Sequence, residues 1–264
     1  MDASISHMAG IASLLTLTSP LELIRTRLQT DRQLVSLGRI SQTYRSIRHC
    51  LSSITRTEGL LSLWKGNTVG LARFFPSEAI NYQARNVFRP HFGSDCLGNI
   101  AVAVLAGWTA SSTLYPLEAI RMALSSHTSQ QQAALSALGR LVRQNGPSIF
   151  YRGFAQSMAG TAVFRASFNG LYDWAKGYSA SQKGRVGIAY SCSIVAGVLC
   201  YPLDSLRRKK MVANSQERLG QFARKVVAEE GVRGLYRGSH LMPVQSVVGA
   251  LILLAFDSPV PKDE

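Results

Sequence analysis

Long stretches almost free of Lys and Arg alternate along this chain with short, strongly basic connectors. Six such stretches stand out, at 5–24, 67–88, 97–120, 154–172, 187–206 and 239–256. The odd-numbered three are nearly devoid of titratable groups, holding His7 and Glu22, then Glu118, then Asp204. The even-numbered three carry a few more: Arg73, Glu78 and Arg85, then Arg165, then His240. Each is roughly 20 residues long, enough for a helix rising 1.5 Å per residue to cross about 30 Å of hydrocarbon. The pattern predicts an all-α membrane protein with six transmembrane helices. Ser, Thr and Gly crowd the odd segments, as in "TASSTLY" and "SLLTLTS". That suits helices that pack closely and turn one face to a wet interior, and it accounts for a mean hydropathy of only +0.06.

The connectors, taken as 25–65, 121–152 and 207–237, hold 21 of the 29 Lys and Arg residues. In the first, Tyr44, Ile47, Leu51 and Ile54 recur at helical spacing amid arginines, which predicts a short amphipathic surface helix. A net charge of +14 would also suit a nucleic-acid binder, but that needs an exposed basic groove with stacking aromatics or a recognition helix. Here basic loops bracket apolar spans on one side, as positive-inside topology expects, so no nucleic-acid partner is predicted and both termini fall on the less basic side. The four cysteines, Cys50, Cys96, Cys192 and Cys200, have neither CxxC nor paired metal-ligand spacing and read as reduced small hydrophobes. Neither a metal nor another cofactor is expected. "MDASISHMAG" has no basic stretch ahead of an apolar one, so a cleaved leader is not expected. The five histidines are scattered and no nucleophile, base and orienting group cluster in the sequence, which argues against an enzyme.

Behind each odd segment comes one phrase: "SPLELIRTRLQT" (19–30), "YPLEAIRMALSS" (115–126) and "YPLDSLRRKKMV" (201–212). Its prolines, Pro20, Pro116 and Pro202, lie 96 and 86 residues apart. Downstream follows a second phrase: "EGLLSLWKG", "NGPSIFYRG" and "EGVRGLYRG". A repeat of about 90 residues with two spans in each predicts three copies around one axis, with bounds at 1–94, 95–179 and 180–264. Proline bends each odd helix, and three bends related by symmetry bring the helix ends together on the basic side. There the acid two residues after one proline can meet the base five residues after another.

These paired phrases resemble the mitochondrial carrier family, whose signature is PX[DE]XX[KR]X[KR] followed by [DE]GXXXX[WYF][KR]G. The resemblance covers essentially the whole chain. Repeats one and three match fully; repeat two has Ala123 for the last base and Asn145 for the acid. The resemblance implies alternating access through a water-filled cavity closed by one ion-pair layer on the matrix side and another on the cytosolic side. Carried over by position, the matrix layer pairs Glu22 with Arg121, Glu118 with Arg207 and Asp204 with Arg25, braced by Gln29. Reversing both charges of Arg25 and Asp204 should then be partly tolerated, because the pair survives reversed. The cytosolic motif [FY][DE]XX[KR] is intact in "YDWAK", so Arg89 can pair with Asp173 and Lys176 with Asp257. The third cytosolic pair has lost both members, which are Asn86 and Val260.

Counting eight residues from the base of each WKG or YRG gives Arg73, Gly160 and Gln245 at one level, about 12 Å up the even helices. Thirteen residues give Glu78, Arg165 and Ala250, one level higher. Ionisable groups inside membrane helices mark function, and a guanidinium offers phosphate or carboxylate a planar fork. Arg73 and Arg165 are therefore the candidate anion binders, with Gly160, Thr161 and Gln245 beside them, and no acid shares the level of Arg73. "ARFFPSEAINY", "FRASFNGLYDWAKG" and "VAGVLCYPLDSLRR" are similar to the ADP/ATP carrier subgroup. Departures from that subgroup are RRKKMV at 207–212, Leu15, Phe164 and Gln245, together with the added acid Glu78.

The partners this resemblance implies are a small anionic solute, with a nucleotide first, and cardiolipin. The lipid would be held by Trp64, Lys65 and Gly66, by Tyr151, Arg152 and Gly153, and by Tyr236, Arg237 and Gly238, where aromatic, base and helix N-terminus meet. The protein would act as a monomer in the mitochondrial inner membrane or that of a related organelle. Three readings of function stay open: a nucleotide exchanger, a carrier of another, less charged anion, and a carrier fold that no longer transports.

Overall fold

The computed structural model describes residues 2–93, 95–126, 136, 139–140, 142–144, 146–178, 182–213, 217–245 and 247. Among these, long helices dominate and no strand occurs. Repeat one consists of α1 (Asp2–Ser36), α2 (Ile47–Glu58) and α3 (Asn67–Phe88). Repeat two contributes α4 (Cys96–Ser126) and α5 (Phe154–Ala175), and repeat three α6 (Gln182–Ala213) and α7 (Leu219–Leu235). The sixth predicted span opens with a 3-10 turn over Ser239–Leu241 and is helical at 242–245, its remainder lying outside the described residues. In space α3 packs on α4, α4 on α5, α5 on α6, and α6 returns to α1.

The helices α4 and α6 contain windows apolar enough to cross a membrane on length and composition alone, with mean hydropathy 1.4 and 1.3. The others are diluted by the polar and charged residues they turn inward, while Leu17, Val87, Leu97, Trp174 and Leu199 stand exposed on the outside. An apolar exterior around a charged interior inverts the usual soluble pattern and suits lipid as the surrounding solvent.

Pro20, Pro116 and Pro202 all sit inside continuous helices, where each lacks the N–H that would bond one turn back. Below them α1 runs on to Ser36, α4 to Ser126 and α6 to Ala213, each past the predicted span end. That extension receives the amphipathic helices. Ser46 caps α2 by accepting from the His49 N–H at 3.1 Å, and Cys50 and Ile54 bury against Leu23, Ile24, Leu28, Tyr44 and Leu63. Tyr44, Ile47 and Ile54 of the predicted face turn inward, whereas Leu51 is exposed and Cys50 takes the inward position beside it. Leu206, Phe222, Val226 and Leu235 repeat the arrangement under α7.

The signatures of repeats one and three also supply a buried tether. In repeat one Glu58 holds Arg27 at 3.0 Å and Lys65 at 2.6 Å, with the Arg27 side chain 0 % and Glu58 3 % exposed. In repeat three Lys209 pairs with Glu230. The corresponding positions of repeat two are Ala123 and Asn145, so both members are missing together and neither charge is stranded in the interior.

Repeats three and one share a polar seam. Asp31 accepts from the Tyr44 N–H at 3.1 Å and from Arg237 at 2.9 Å, and the Gln33 amide donates to Glu230 at 3.2 Å. Leu241 closes the seam by packing into the Leu23 cluster.

Candidate functional site

The acid of each proline phrase lies one turn above the base, so each odd helix offers a carboxylate and a guanidinium to its two neighbours. Arg25 reaches Asp204 at 3.0 Å, Arg207 reaches Glu118 at 3.3 Å, and Arg121 pairs with Glu22. These three inter-repeat contacts form a layer across the bundle. They are not equivalent. Asp204 also accepts from Arg207 and Arg208, each at 3.1 Å, so three guanidinium groups converge on one carboxylate. Arg208 additionally donates to Thr26 at 2.5 Å. Glu22 is 39 % exposed against 17 % for Asp204, so its attraction to Arg121 is the more screened of the two. Gln29 is buried directly below the layer, with neither amide atom bonded.

Above the layer opens a cavity of about 930 Å³, which six arginines and four carboxylates line. Gly160, Thr161 and Arg165 all face it. Arg73 faces it too, but with a partner the sequence did not suggest: its Nε lies 3.1 Å from Glu118 Oε2. The expectation that no acid neutralises Arg73 is therefore corrected. Glu118 belongs to a neighbouring helix one level down, and the long side chain of Arg73 spans the difference. Neither atom of that contact is aligned for a hydrogen bond, so it is an ion contact alone. Gln245 likewise turns to the layer, accepting from Arg25 at 2.9 Å. Two members of the mid-membrane triad thus touch the ion-pair layer directly. The third, Gly160, accepts at its carbonyl from the Cys200 thiol at 3.2 Å.

Arg165 lies higher on α5, donating to the Ala103 carbonyl at 3.0 Å and to Asn81 at 3.4 Å. Gly107 makes this possible, because a Cβ there would collide with the guanidinium. Along the same wall Phe164 and Phe168 stack with centroids 6.2 Å apart. Gln156, one turn below Gly160, is a buried amide on the cavity lining with both polar atoms unbonded.

The aromatic and basic phrases behave less uniformly than their wording. Gly66, Gly153 and Gly238 all take left-handed backbone, with φ of 83°, 78° and 83°. Each abuts the layer arginine of the next repeat: a Cβ at Gly66 would approach the Arg121 carbonyl to 3.3 Å and one at Gly153 the Arg207 carbonyl to 3.3 Å. Tyr151 and Tyr236 stack on Tyr115 and Tyr201, whose hydroxyls donate to the Arg152 and Arg237 carbonyls at 2.9 and 2.7 Å. Tyr201 also carries Arg25 over its ring at 4.8 Å. Trp64 donates to the Thr16 carbonyl at 2.9 Å. Lys65 and Arg237, expected to face lipid phosphate, are committed to Glu58 and Asp31. What these segments expose is their aromatic side chains, Trp64, Tyr151 and Tyr236.

On the far side Arg89 donates to Asn99, a residue absent from the expected cytosolic pairs. The side chain of Lys176, and Asp257 altogether, lie outside the described residues. The signals missed in the sequence were small but present: "YP" occurs twice where repeat one has Ser19-Pro20, and Arg208 adds a base where the other repeats have Thr26 and Met122.

Three two-span repeats, tied at one end by acid–base pairs beneath a basic cavity, define a membrane carrier built on threefold repetition. The chain belongs to the mitochondrial carrier family, matching the family described as "Mitochondrial carrier protein" over residues 2–96, 93–183 and 184–258. It is 28% identical to an ADP,ATP carrier protein of Neurospora crassa over 95% of this chain and 89% of that one. It is 27% identical to ADP/ATP translocase 3 of Bos taurus, covering 94% and 93%, and to ADP,ATP carrier protein ER-ANT1 of Arabidopsis thaliana, covering 95% and 91%.

Proposed function

We propose that the protein exchanges an anionic metabolite, an adenine nucleotide first among them, across the mitochondrial inner membrane or that of a related organelle. Transport proceeds by alternating access, and the structure represents the state closed at the layer of Glu22, Arg25, Glu118, Arg121, Asp204 and Arg207. The adenine nucleotide is supported by the relatives named as ADP/ATP carriers. The observation that carries the mechanism is the double engagement of Glu118, which holds Arg207 within the layer and Arg73 in the cavity. An anion reaching the cavity competes with Glu118 for Arg73. Because the Arg73 contact lacks hydrogen-bond alignment, phosphate oxygens that accept in line from the guanidinium displace it favourably. Glu118 then loses one cation, and the layer that Arg207 and Asp204 share is weakened from above. Binding energy realised more fully in the open arrangement shifts the population toward it. On the opposite side Arg89, Asp173, Lys176 and Asp257 supply the second closure, and cardiolipin binds at the even-helix N-termini.

Uptake by proteoliposomes tests this reading. The Arg73→Ala protein should fold when empty yet lose both uptake and solute-dependent thermal stabilisation. Undiminished uptake would remove Arg73 from the site and leave Arg165 as the anion contact.

A further inference from the structure

The cavity's six arginines do not all face a solute on equal terms. Arg25, Arg207 and Arg208 are taken up by Asp204, and Arg207 and Arg73 by Glu118, all at the floor. The upper chamber is left with Arg85 and Arg165. Against them stands Glu78. Residues 78, 81 and 85 fall at i, i+3 and i+7 on α3, one face of the helix. Arg165 reaches in from α5 to Asn81, in the middle of that face, so both guanidinium groups and the carboxylate share one chamber. Among the described residues neither Glu78 nor Arg85 forms an ion pair, and both are exposed to the cavity. Glu78 is therefore a standing negative charge in the space where a solute's own charges must lie.

We infer that Glu78 is a specificity-determining residue, which lowers the advantage that a tri- or tetra-anion would otherwise have in this chamber over a phosphomonoester of about two negative charges. This rests on the anion-exchange reading above and sharpens it. A single phosphate is satisfied by Arg165 and Arg85 in the upper chamber or by Arg73 at the floor. A longer phosphate chain spans both and brings its further charges against Glu78. At a separation of about 8 Å with water-like screening, two additional charges cost about fivefold in affinity.

The test uses the whole purified protein in detergent and in proteoliposomes, with two ligand series. One is adenosine mono-, di- and triphosphate; the other is inorganic phosphate, pyrophosphate and tripolyphosphate. Affinities come from thermal stabilisation and from competition for uptake. The quantity read is the ratio of monophosphate to triphosphate affinity in each series. Glu78→Gln should move the ratio of monophosphate to triphosphate affinity about fivefold toward the triphosphate, whereas Glu78→Asp should keep the wild-type ratio. An unchanged ratio in Glu78→Gln overturns the inference, as does an equal shift in Glu78→Asp or no response to any polyanion. If the inorganic series shows the shift while the nucleotides neither stabilise nor compete, the nucleotide reading falls and the charge rule stands.

Discussion

Reversing both charges of a layer pair should succeed at one pair and fail at another, although the proline phrase makes them look interchangeable. In Arg25→Asp with Asp204→Arg the direct pair is restored with opposite polarity. Asp204, however, also accepts from Arg207 and Arg208 at 3.1 Å each. Both of those charge-assisted bonds are lost, at about 1.5–3 kcal/mol apiece. A guanidinium in their place faces two like charges, at about 1 kcal/mol each with water-like screening and more in a partly buried site. The Asp204 side chain is 17 % exposed, so screening is incomplete, and the double reversal should destabilise the closed layer by about 5 kcal/mol or more. In Glu22→Arg with Arg121→Glu the carboxylate has Arg121 as its one ion-pair partner among the described residues and is better screened, so the change should stay within about 1 kcal/mol. Thermal unfolding of the two double variants and their four single parents gives the coupling energies directly. A loss of about 5 kcal/mol corresponds to a fall of at least about 10 °C in a chain of this size. A wild-type midpoint and wild-type uptake in the Arg25/Asp204 double variant would refute the reasoning and reduce the Arg207 and Arg208 contacts to bystanders.

Two further outcomes follow from the connectors. Burial pushes the Cys50 thiol up to about 12, so at pH 8 about one molecule in ten thousand carries the thiolate, and maleimide labelling should be confined to exposed positions such as Cys96. Its labelling should speed up as the pH rises toward 12 in the folded protein, and fast labelling of Cys50 at pH 8 would show α2 undocked. Cardiolipin should raise the unfolding midpoint more than a zwitterionic lipid does; equal protection by both would exclude the helix N-termini as phosphate sites.

The layer was legible because charge at the end of a membrane helix is costly unless paired, and a repeat fixes which charges recur at the same height. Glu22, Arg25, Glu118, Arg121, Asp204 and Arg207 could be placed from spacing alone. Spacing says nothing of lateral reach. Arg73 was readable to its level, but its turn toward Glu118 depends on a side chain long enough to bridge two levels across a helix seam. The same limit hid Gln245 on Arg25 and Arg89 on Asn99. The face of α2 was read correctly at Tyr44, Ile47 and Ile54 and missed at one position, because Leu51 is the more apolar residue while Cys50 occupies the inward position. The lipid phrases misled for a chemical reason. Lys65 and Arg237 sit near acids that bury better with a cation than without one, so intramolecular partners outcompete a headgroup for them.

The seam between the third and first repeats has a consequence for how the chain is made. Arg25 meets Asp204 and Gln245 across 179 and 220 positions of sequence, and Arg237 meets Asp31 across 206. Asp31 is 1 % exposed in the finished protein, so until the last connector is synthesised a carboxylate destined for the interior has no cation. Helices one to five can pair with their neighbours as they emerge, but the ring shuts late, and loop closure over such spans is slow. A nascent chain stalled before Arg237 therefore presents an open edge at which Asp31 keeps its bond from the Tyr44 N–H but lacks its cation.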